Sequence, residues 1–295
     1  MSALSLPSGV AVDLGGTKIS AARVTDGIVG DVIKTETDAD ASINVQIEAI
    51  CGLVSQIGFT PGAQKIGVAV AGRVSSDGQW FAVNSDILSQ IDKIPLRDLL
   101  VQQFGQDVKI QNDATAAAQG EMICGAGRGM DSFAYITVST GVGGGIILNR
   151  KPVTSGSGLA GHVGFVTSRH LGGTCGSGRR NTVESIASGR ALVARAEALG
   201  HRGMTGKDVF AAHLSGANWA SELVTSSAAA IAELGGNLKA ALDIEAVIIG
   251  GGVGLAEGYA ELVEDQLSAE PALFRPQVRR AALAENSALI GILAD

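Results

Sequence analysis

Apolar residues repeat along the chain in two ways. Short runs of β-branched residues that end at glycine predict strands, and apolar positions three or four residues apart predict helices. The predicted strands are residues 9–13, 17–24, 27–34, 65–70, 107–111, 131–138, 143–148 and 245–250. The predicted helices are residues 41–57, 94–105, 113–125, 183–199, 205–214, 217–242, 255–268 and 286–294. Strands and helices therefore alternate, which indicates an α/β fold.

Both halves of this pattern begin in the same way. A strand, a glycine turn and a second strand occur around Asp13-Leu-Gly-Gly-Thr17 and again around Ser139-Thr-Gly-Val-Gly-Gly144. We therefore expect two related α/β domains facing across a central cleft, residues 1–113 and 114–284, with a closing helix over 285–295 packed back on the first. Ligands of such sheets bind at the carboxyl ends of the strands, where these glycine turns lie.

The composition limits the class of protein. The 295 residues include 22 basic and 29 acidic side chains, a net charge of −7, which argues against a nucleic-acid surface. No apolar run reaches the ~18 residues of a membrane span, and no basic segment followed by an apolar one suggests a secretory signal. Three cysteines (Cys51, Cys124 and Cys175) are too few for a disulfide framework. We expect a cytoplasmic protein that binds neither a membrane nor nucleic acid.

The glycine turns are the first candidate site. Glycine lets backbone N–H groups approach a ligand closely, and Thr140 adds a hydroxyl at the tip of the second hairpin. Asp13 ends a strand where a carboxylate can hold Mg²⁺, while Thr17 and nearby N–H groups meet phosphate. Taken alone, the second hairpin is better explained as an ordinary tight turn, and Asp13 as a strand-end residue that caps a turn stays an alternative. A third glycine run, from Gly250 to Gly254, opens a helix, and the three turns together indicate a nucleotide cleft.

Four polar residues are further candidates for ligand contacts, and Asn112 could bind a sugar hydroxyl. Asn112 and Asp113 lie between a strand and a helix, where Asp113 can accept a hydroxyl proton during phosphoryl transfer, but both are also ordinary helix N-caps. His162 lies between glycines and not on an apolar helical face, which favours a ligand contact. Glu184 falls in the first turn of a helix, where a carboxylate also interacts favourably with the helix dipole. Both alternatives stay open for the Asn-Asp pair and for Glu184.

Five segments together resemble the ROK family of sugar kinases, and the similarity extends in order over essentially the whole chain. The chain looks most like those members that phosphorylate N-acetylmannosamine, which resemble it in having histidine at the position of His162, where ROK glucokinases usually carry glutamate. The segments are Asp13-Leu-Gly-Gly-Thr-Lys18, Asn112-Asp113-Ala114, Ser139-Thr-Gly-Val-Gly-Gly-Gly145, Gly158-Leu-Ala-Gly-His-Val-Gly164 and Gly250-Gly-Gly-Val-Gly254.

The resemblance implies an actin-like, hexokinase-type ATPase fold that closes around the sugar and excludes water. It also implies that the protein phosphorylates N-acetylmannosamine at the 6-hydroxyl with ATP and Mg²⁺, which is a step in sialic acid breakdown. The resemblance further implies a homodimer, and it implies that Asp113 is the general base. By the same resemblance, the sugar would be held by Asn84, Asn112, His162 and Glu184. Mg²⁺ and phosphate would be bound by Asp13, Gly15, Gly16, Thr17 and Lys18, and Thr140 and Gly141 would also contact the phosphates. The adenosine side would be bound by Gly251, Gly252, Val253 and Gly254.

The chain departs from the family in one segment. Many ROK proteins bind a structural zinc through a histidine and a C-x-C-x₄-C run, but here Phe165, Ser177 and Thr182 stand at three of the ligand positions. Cys175 alone remains, and a structural zinc site needs four nitrogen or sulfur donors. We therefore expect no zinc, and we expect other packing, for example around Phe165, to order residues 165–182.

Three other functions fit parts of this pattern. A ROK glucokinase or N-acetylglucosamine kinase would use the same Asn-Asp pair. ROK repressors share the cleft but carry an N-terminal helix-turn-helix, whereas only eight residues precede the first predicted strand here. A sugar-binding protein that had lost catalysis together with its zinc would not need Asp13 or Asp113, and both are present.

Overall fold

The computed structural model describes residues 5–84 and 88–295, in which strands and helices alternate. The strands are β1 (Gly9–Leu14), β2 (Lys18–Thr25), β3 (Ile28–Val29), β4 (Ile33–Glu36), β5 (Ile66–Val70), β6 (Arg73–Val74), β7 (Trp80–Phe81), β8 (Lys109–Asn112), β9 (Phe133–Val138), β10 (Val142–Leu148), β11 (Lys151–Pro152), β12 (Ala246–Gly250) and β13 (Gln277–Arg280). The α-helices are α1 (Ile43–Gln56), α2 (Leu96–Phe104), α3 (Asp113–Cys124), α4 (Val183–Ala187), α5 (Gly189–Ala198), α6 (Gly206–Leu214), α7 (Asn218–Leu242), α8 (Gly251–Gly254), α9 (Tyr259–Leu267) and α10 (Ser287–Gly291).

The chain forms two compact units, and it enters each of them more than once. The first unit comprises the described residues up to Gly129 together with Pro152–Gly161 and Glu285–Asp295. The second comprises Met130–Lys151 and His162–Ala284. These limits differ from the predicted domains in two segments, because residues 114–129, which include most of α3, and residues 152–161 lie with the first unit. Within the described ranges, no helix is both long and apolar enough to span a membrane.

The first unit is built on a sheet with the strand order β3-β2-β1-β5-β8, and β4 also pairs with β2. β1 is antiparallel to β2 but parallel to β5, which is in turn parallel to β8. The valines of β1 and β5 are fully buried, and they pack with apolar residues of α1 and α2 in one core. The carboxyl ends of the three parallel strands consequently lie at the same edge of the sheet.

Helix α10 completes the first unit by packing closely against α3. A Cβ on Gly291 would lie 1.7 Å from the carbonyl oxygen of Ala116, and one on Gly120 would lie 2.1 Å from that of Ser287. Only glycine at these two positions lets the helices approach so closely. The Ser287 hydroxyl donates a 2.8 Å hydrogen bond to the fully buried carboxylate of Glu121. The closing helix is shorter than predicted, since a 3₁₀ turn over Ala284–Asn286 precedes it.

The second unit repeats the central arrangement of the first. Its sheet has the order β11-β10-β9-β12-β13, with β9 antiparallel to β10 and parallel to β12. The sequence did not predict β13, which is parallel to β12 at the edge of the sheet. Only Val278 among its residues is apolar. The strand therefore forms because it pairs with β12, and no apolar pattern in the sequence marks it.

The helix predicted over residues 183–199 is in fact two helices, α4 and α5, which Ser188 separates. Ser188 has extended backbone angles (φ −67°, ψ 155°), and its hydroxyl accepts a 3.1 Å hydrogen bond from the N–H of Ala191 as the N-cap of α5. Ser188 is thus both the C-cap of α4 and the N-cap of α5, and serine is a preferred N-cap residue. Thr182 caps α4 in the same way, because its hydroxyl accepts from the N–H of Ser185.

Three helices of the second unit meet at a buried pair of hydroxyl groups. Ser227 of α7 donates to the carbonyl oxygen of Ala187 in α4 (3.0 Å), so the Tyr259 hydroxyl of α9 is the donor in the 2.7 Å contact with Ser227. We expect Tyr259→Phe to lower the free energy of unfolding by about 1 kcal/mol, because one buried hydrogen bond is lost while Ser227 keeps its acceptor. Urea unfolding measures the difference; an unchanged midpoint would contradict this role of the phenol.

Candidate active site

The first glycine turn joins β1 to β2, and Thr37 braces it from outside. The N–H of Gly15 donates to the carbonyl of Lys18 at 3.0 Å, which closes the turn. Thr37 donates from its hydroxyl to the carbonyl of Gly15 (2.9 Å) and from its N–H to the carbonyl of Thr17 (3.1 Å). The backbone of Gly15, Gly16 and Thr17 is therefore fixed. No motif in the sequence pointed to Thr37, because its role depends on where the chain returns after β4.

The side chain of Lys18 is directed to a surface carboxylate. Its Nζ atom lies 3.1 Å from Oε2 of Glu285, and Lys34 shares the same oxygen at 2.9 Å. Lys18 is the first, exposed residue of β2, and its long side chain extends over the surface to Glu285. The sequence grouped Lys18 with the phosphate contacts; in the structure it is one of two lysines paired with Glu285.

Asp13 has an electrostatic environment that suits a cation. Its Oδ1 atom is buried and accepts no hydrogen bond from any residue in 5–84 or 88–295. The pKa of this carboxyl is raised to about 7, mainly by burial and in addition by the charge of Asp113, while Lys18 opposes the rise. Mg²⁺ in nucleotide sites is bound through one or two carboxylates together with phosphate oxygens. The free oxygen of Asp13 therefore fits a Mg²⁺ ion carried by a nucleotide.

Asn112 is a helix N-cap that also orients Asp113. Its Oδ1 accepts from the N–H (2.9 Å) and the hydroxyl (3.2 Å) of Thr115 in α3. Its Nδ2 donates to the carbonyl of Gly72 (2.9 Å) and to Oδ1 of Asp113 (2.8 Å). An amide group has two donor hydrogens and one acceptor oxygen with two lone pairs, so all of these are used within the protein. Of the two alternatives left open for Asn112, the structure shows the helix N-cap.

Asp113 begins α3 with one oxygen occupied and one available. Its Oδ1 accepts from Asn112 and from the N–H of Ala114 at 2.8 Å, which leaves Oδ2 as the oxygen that can take a proton. Burial raises the pKa of Asp113 to about 6, against the opposing effect of the hydrogen bonds from Ala114 and Asn112. A carboxyl with a pKa near neutral is suited to general-base catalysis.

The first sheet brings Asp13 and Asp113 to the same edge. Leu14 of β1 is level with Val70 of β5, and Val70 is level with Asn112 of β8. The two acidic residues therefore lie two strands apart at the carboxyl ends of parallel strands. Asn84, the remaining predicted sugar contact in this unit, is buried with 8% of its surface exposed.

In the second unit, the glycine hairpin holds the carboxylate of Glu184. The N–H of Val142 donates to Oε2 of Glu184 at 3.1 Å, and a Cβ on Gly141 would lie only 2.7 Å from the same oxygen. The tip is fixed from the other side by α5, since the N–H groups of Gly189 and Arg190 donate to the carbonyls of Ser139 and Thr140. Thr140 itself is exposed. The structure thus groups Thr140, Gly141 and Glu184, which the sequence had assigned to different ligands.

The third glycine turn follows β12 and forms the single-turn helix α8. Gly251 has a φ of 83°, and a Cβ there would lie 2.4 Å from the carbonyl of Val138, so only glycine lets the turn cross the end of β9. Gly252 is different, because a Cβ on it would meet no atom within 4 Å. Val253 and Gly254 are buried at the end of the turn. The helix predicted over 255–268 begins later, at Tyr259.

His162 precedes a 3₁₀ turn over Val163–Phe165, and its ring is parallel to that of Phe165. The ring centroids are 6.2 Å apart, with an angle of 15° between the planes. Gly164 lets this turn lie against β10, since a Cβ there would be 1.9 Å from the carbonyl of Val142. Phe165 therefore packs beside His162, in the segment that leads to Glu184.

The residues at the family's zinc positions have other partners here. Cys175 Sγ is 3.0 Å from the Ser177 hydroxyl, the Thr182 hydroxyl caps α4, and Phe165 packs on His162. Two hydroxyls, a phenyl ring and a single thiol do not supply the four nitrogen or sulfur donors of structural zinc. In residues 5–84 and 88–295, no three His, Cys, Asp or Glu side chains are placed to share a metal ion. These residues do not fit zinc, and its absence from the protein stays a prediction.

The fold is the actin-like ATPase fold of hexokinases: a ROK glucokinase from Streptomyces griseus, solved with glucose and AMPPNP, superposes with a TM-score of 0.81 at 32% identity, covering 97% of this chain and 98% of that one. A ROK hexokinase from Thermus thermophilus gives 0.80 at 30% identity, with 96% of each chain covered. Because the ROK family model matches residues 9–294, the chain belongs to the ROK family.

Two curated relatives are similar over nearly their full length. The N-acetylmannosamine kinase of Citrobacter koseri is 38% identical over 285 residues, which is 96% of this chain and 97% of the relative. The N-acetylmannosamine kinase of Vibrio cholerae is 35% identical over 282 residues, 96% of each. The resemblance drawn from the sequence motifs is therefore confirmed at the level of the family and the fold.

Proposed function

We propose that the protein transfers the γ-phosphoryl group of ATP to the 6-hydroxyl of N-acetyl-D-mannosamine, giving N-acetylmannosamine 6-phosphate and ADP. The observation that carries this proposal is the 35–38% identity, over 96% of the chain, to proteins named N-acetylmannosamine kinase. The site supports it, because each unit presents the groups that phosphoryl transfer to a sugar requires.

In the first unit, Asp113 acts as the general base and Asn112 keeps it in position. Oδ2 of Asp113 accepts the proton of the sugar hydroxyl as that oxygen attacks phosphorus, while Oδ1 stays bound to Asn112 and Ala114. Asp13 would hold Mg²⁺, which when bound neutralises charge on the phosphate oxygens. The turn of Gly15, Gly16 and Thr17 presents its backbone toward the same edge of the sheet.

In the second unit, Glu184 and His162 hold the sugar. One oxygen of Glu184 is fixed by the N–H of Val142, which leaves the carboxylate in one orientation for sugar hydroxyls. Thr140 and Gly141 meet the phosphates, and the turn from Gly251 to Gly254 meets the adenosine side. The open space beside Gly252 supports this role for the turn.

A substrate panel tests the proposal. ADP release would be followed with ATP, Mg²⁺ and, in separate reactions, N-acetylmannosamine, N-acetylglucosamine, glucose or mannose. We expect the highest kcat/KM with N-acetylmannosamine. Preference for glucose or N-acetylglucosamine would favour the other ROK kinases instead. A folded protein without turnover on any sugar would favour a binding or regulatory role.

His162 is expected to set the preference between sugars that differ at carbon 2. Replacing it by glutamate, as in His162→Glu, exchanges a ring packed on Phe165 for a flexible carboxylate. We expect the kcat/KM ratio of N-acetylmannosamine to N-acetylglucosamine to fall about tenfold, the order of one hydrogen bond to the sugar. Parallel assays of both epimers measure it, and an unchanged ratio would remove His162 as the determinant.

The proposal extends to the setting of the enzyme. The expected location is the cytoplasm, the expected assembly a homodimer and the expected pathway sialic acid breakdown. Size-exclusion chromatography with light scattering tests the assembly directly; a monomeric mass at micromolar concentration would rule the homodimer out.

A further inference from the structure

The segment 166–182 lies between the turn that carries His162 and the helix that carries Glu184, and it has no regular secondary structure of its own. Structureless segments of this length are uncommon in compact domains. The segment also contains four glycines, whose ordering costs more conformational entropy than that of other residues. Specific contacts are therefore needed to hold it in one conformation.

One set of contacts joins the two limbs of the segment to each other. At its base, the N–H of Val183 donates to the carbonyl of Val166 (2.9 Å) and the N–H of Ser168 to that of Asn181 (2.8 Å). Farther out, the N–H of Asn181 donates to the carbonyl of Gly173 at 3.1 Å. These hydrogen bonds give the segment the form of an irregular hairpin and join its base to the start of α4, but they do not attach it to α7.

A second set of contacts attaches the hairpin to α7 through Glu233. The Ser168 hydroxyl donates to Oε2 of Glu233, and the N–H of Arg169 donates to Oε1 and Oε2 at 3.1 and 3.2 Å. The Glu233 side chain is only 14% exposed, and Ser168 is buried. The Arg169 guanidinium lies 3.9 Å from Glu233 and 4.0 Å from Glu270. A largely buried carboxylate that accepts several hydrogen bonds is a strong local attachment.

We propose that Glu233 anchors residues 166–182 in place of a metal ion and thereby positions Glu184. The link to the site is short: the segment ends at Thr182, whose hydroxyl caps α4, and Glu184 lies in the first turn of that helix. Glu233 is a positioning residue in this scheme, since it acts on the sugar through Glu184. The role in sugar binding rests on the proposed function, whereas the anchoring of the segment does not.

The experiment compares Glu233→Ala, Glu233→Gln and Ser168→Ala with Glu222→Gln, a control at an exposed glutamate on the same helix. Limited trypsin digestion reports on the segment, because Arg179 and Arg180 are exposed cleavage sites within it. We expect Glu233→Ala to be cut there at least tenfold faster than the wild type. Glu233→Gln and Ser168→Ala keep part of the hydrogen bonding and should be intermediate, and Glu222→Gln should equal the wild type.

Kinetics test the effect on the site. We expect Glu233→Ala to raise the KM for the sugar about tenfold, with kcat and the KM for ATP changed less than about threefold. In Glu233→Gln, the KM for the sugar should return most of the way to the wild-type value. Unchanged trypsin cleavage in Glu233→Ala would overturn the anchor. Faster cleavage with an unchanged sugar KM would overturn its positioning role. If the wild type phosphorylates no sugar, the proposed function fails, and the digestion alone still decides the anchor.

Metal analysis supplies the complementary test. Treatment with a chelator should leave the trypsin cleavage rate of the wild type unchanged, because hydrogen bonds to Glu233 and not a metal hold the segment. Stoichiometric zinc in the purified protein, together with faster cleavage after chelation, would refute the proposal.

Discussion

Asp113→Asn is expected to reduce kcat by about 10²- to 10⁴-fold, the contribution of a positioned general base. Asparagine preserves the local structure, because its amide oxygen can still accept from Asn112 and from the N–H of Ala114. Only the oxygen that receives the proton is replaced, by an NH₂ group that has no basic lone pair. The variant should therefore fold and bind sugar while losing turnover.

Two measurements separate loss of chemistry from loss of binding. The dissociation constant for N-acetylmannosamine, from titration calorimetry, should stay within about threefold of the wild type. Asp98→Asn is a matched control, since Asp98 also lies in the first turn of a helix but is exposed, and its kcat should not change. A kcat of Asp113→Asn within tenfold of the wild type would refute the assignment of the base.

Gly141→Ala is expected to weaken sugar binding although Gly141 belongs to a turn that resembles a phosphate loop. The added Cβ would lie 2.7 Å from Oε2 of Glu184, closer than real Cβ contacts allow, so the carboxylate has to leave the N–H of Val142. A charge-assisted hydrogen bond of this kind contributes about 1.5–3 kcal/mol. The KM for the sugar should accordingly rise about 10- to 100-fold.

The KM for ATP tells the two roles of Gly141 apart. We expect it to change less than about threefold, because the alanine methyl faces Glu184. Gly52→Ala is the control, since a Cβ at that position in α1 meets no atom within 4 Å. A rise in the KM for ATP with an unchanged sugar KM would mean that Gly141 acts only on the phosphates and does not shape the sugar site.

Local patterns were sufficient for the elements that carry the predicted site. The strands predicted over 9–13 and 131–138 are short apolar runs close to glycine turns, and they form as β1 and β9 with bounds that differ by one or two residues. The pattern failed where pairing with distant residues decides the structure. Strand β13 is mostly polar, and the short hairpin of β6 and β7 has too few residues to show any alternation. The break at Ser188 is hidden because apolar residues keep helical spacing on both sides of it.

The same limit applies to the site. Motifs pointed to Asp113, Glu184 and Gly141 one at a time, but they did not show that Gly141 and Val142 hold Glu184. Thr37 and Glu233 belong to no motif, since each acts on a segment far away in the sequence. Side chains that bind ligands can thus be proposed from local sequence, whereas those that brace them become visible only in the folded chain.

The close packing of α10 on α3 affects the order in which the two units can complete their folding. Residues 285–295 complete the first unit, and the ribosome adds them after every residue of the second. Until then, Glu121 lacks the Ser287 hydroxyl, and the face of α3 around Gly120 stays uncovered. Domains usually fold in the order of synthesis, from the N-terminus. Here the first unit can complete its folding only after the second unit has been synthesised, because its last helix comes at the end of the chain.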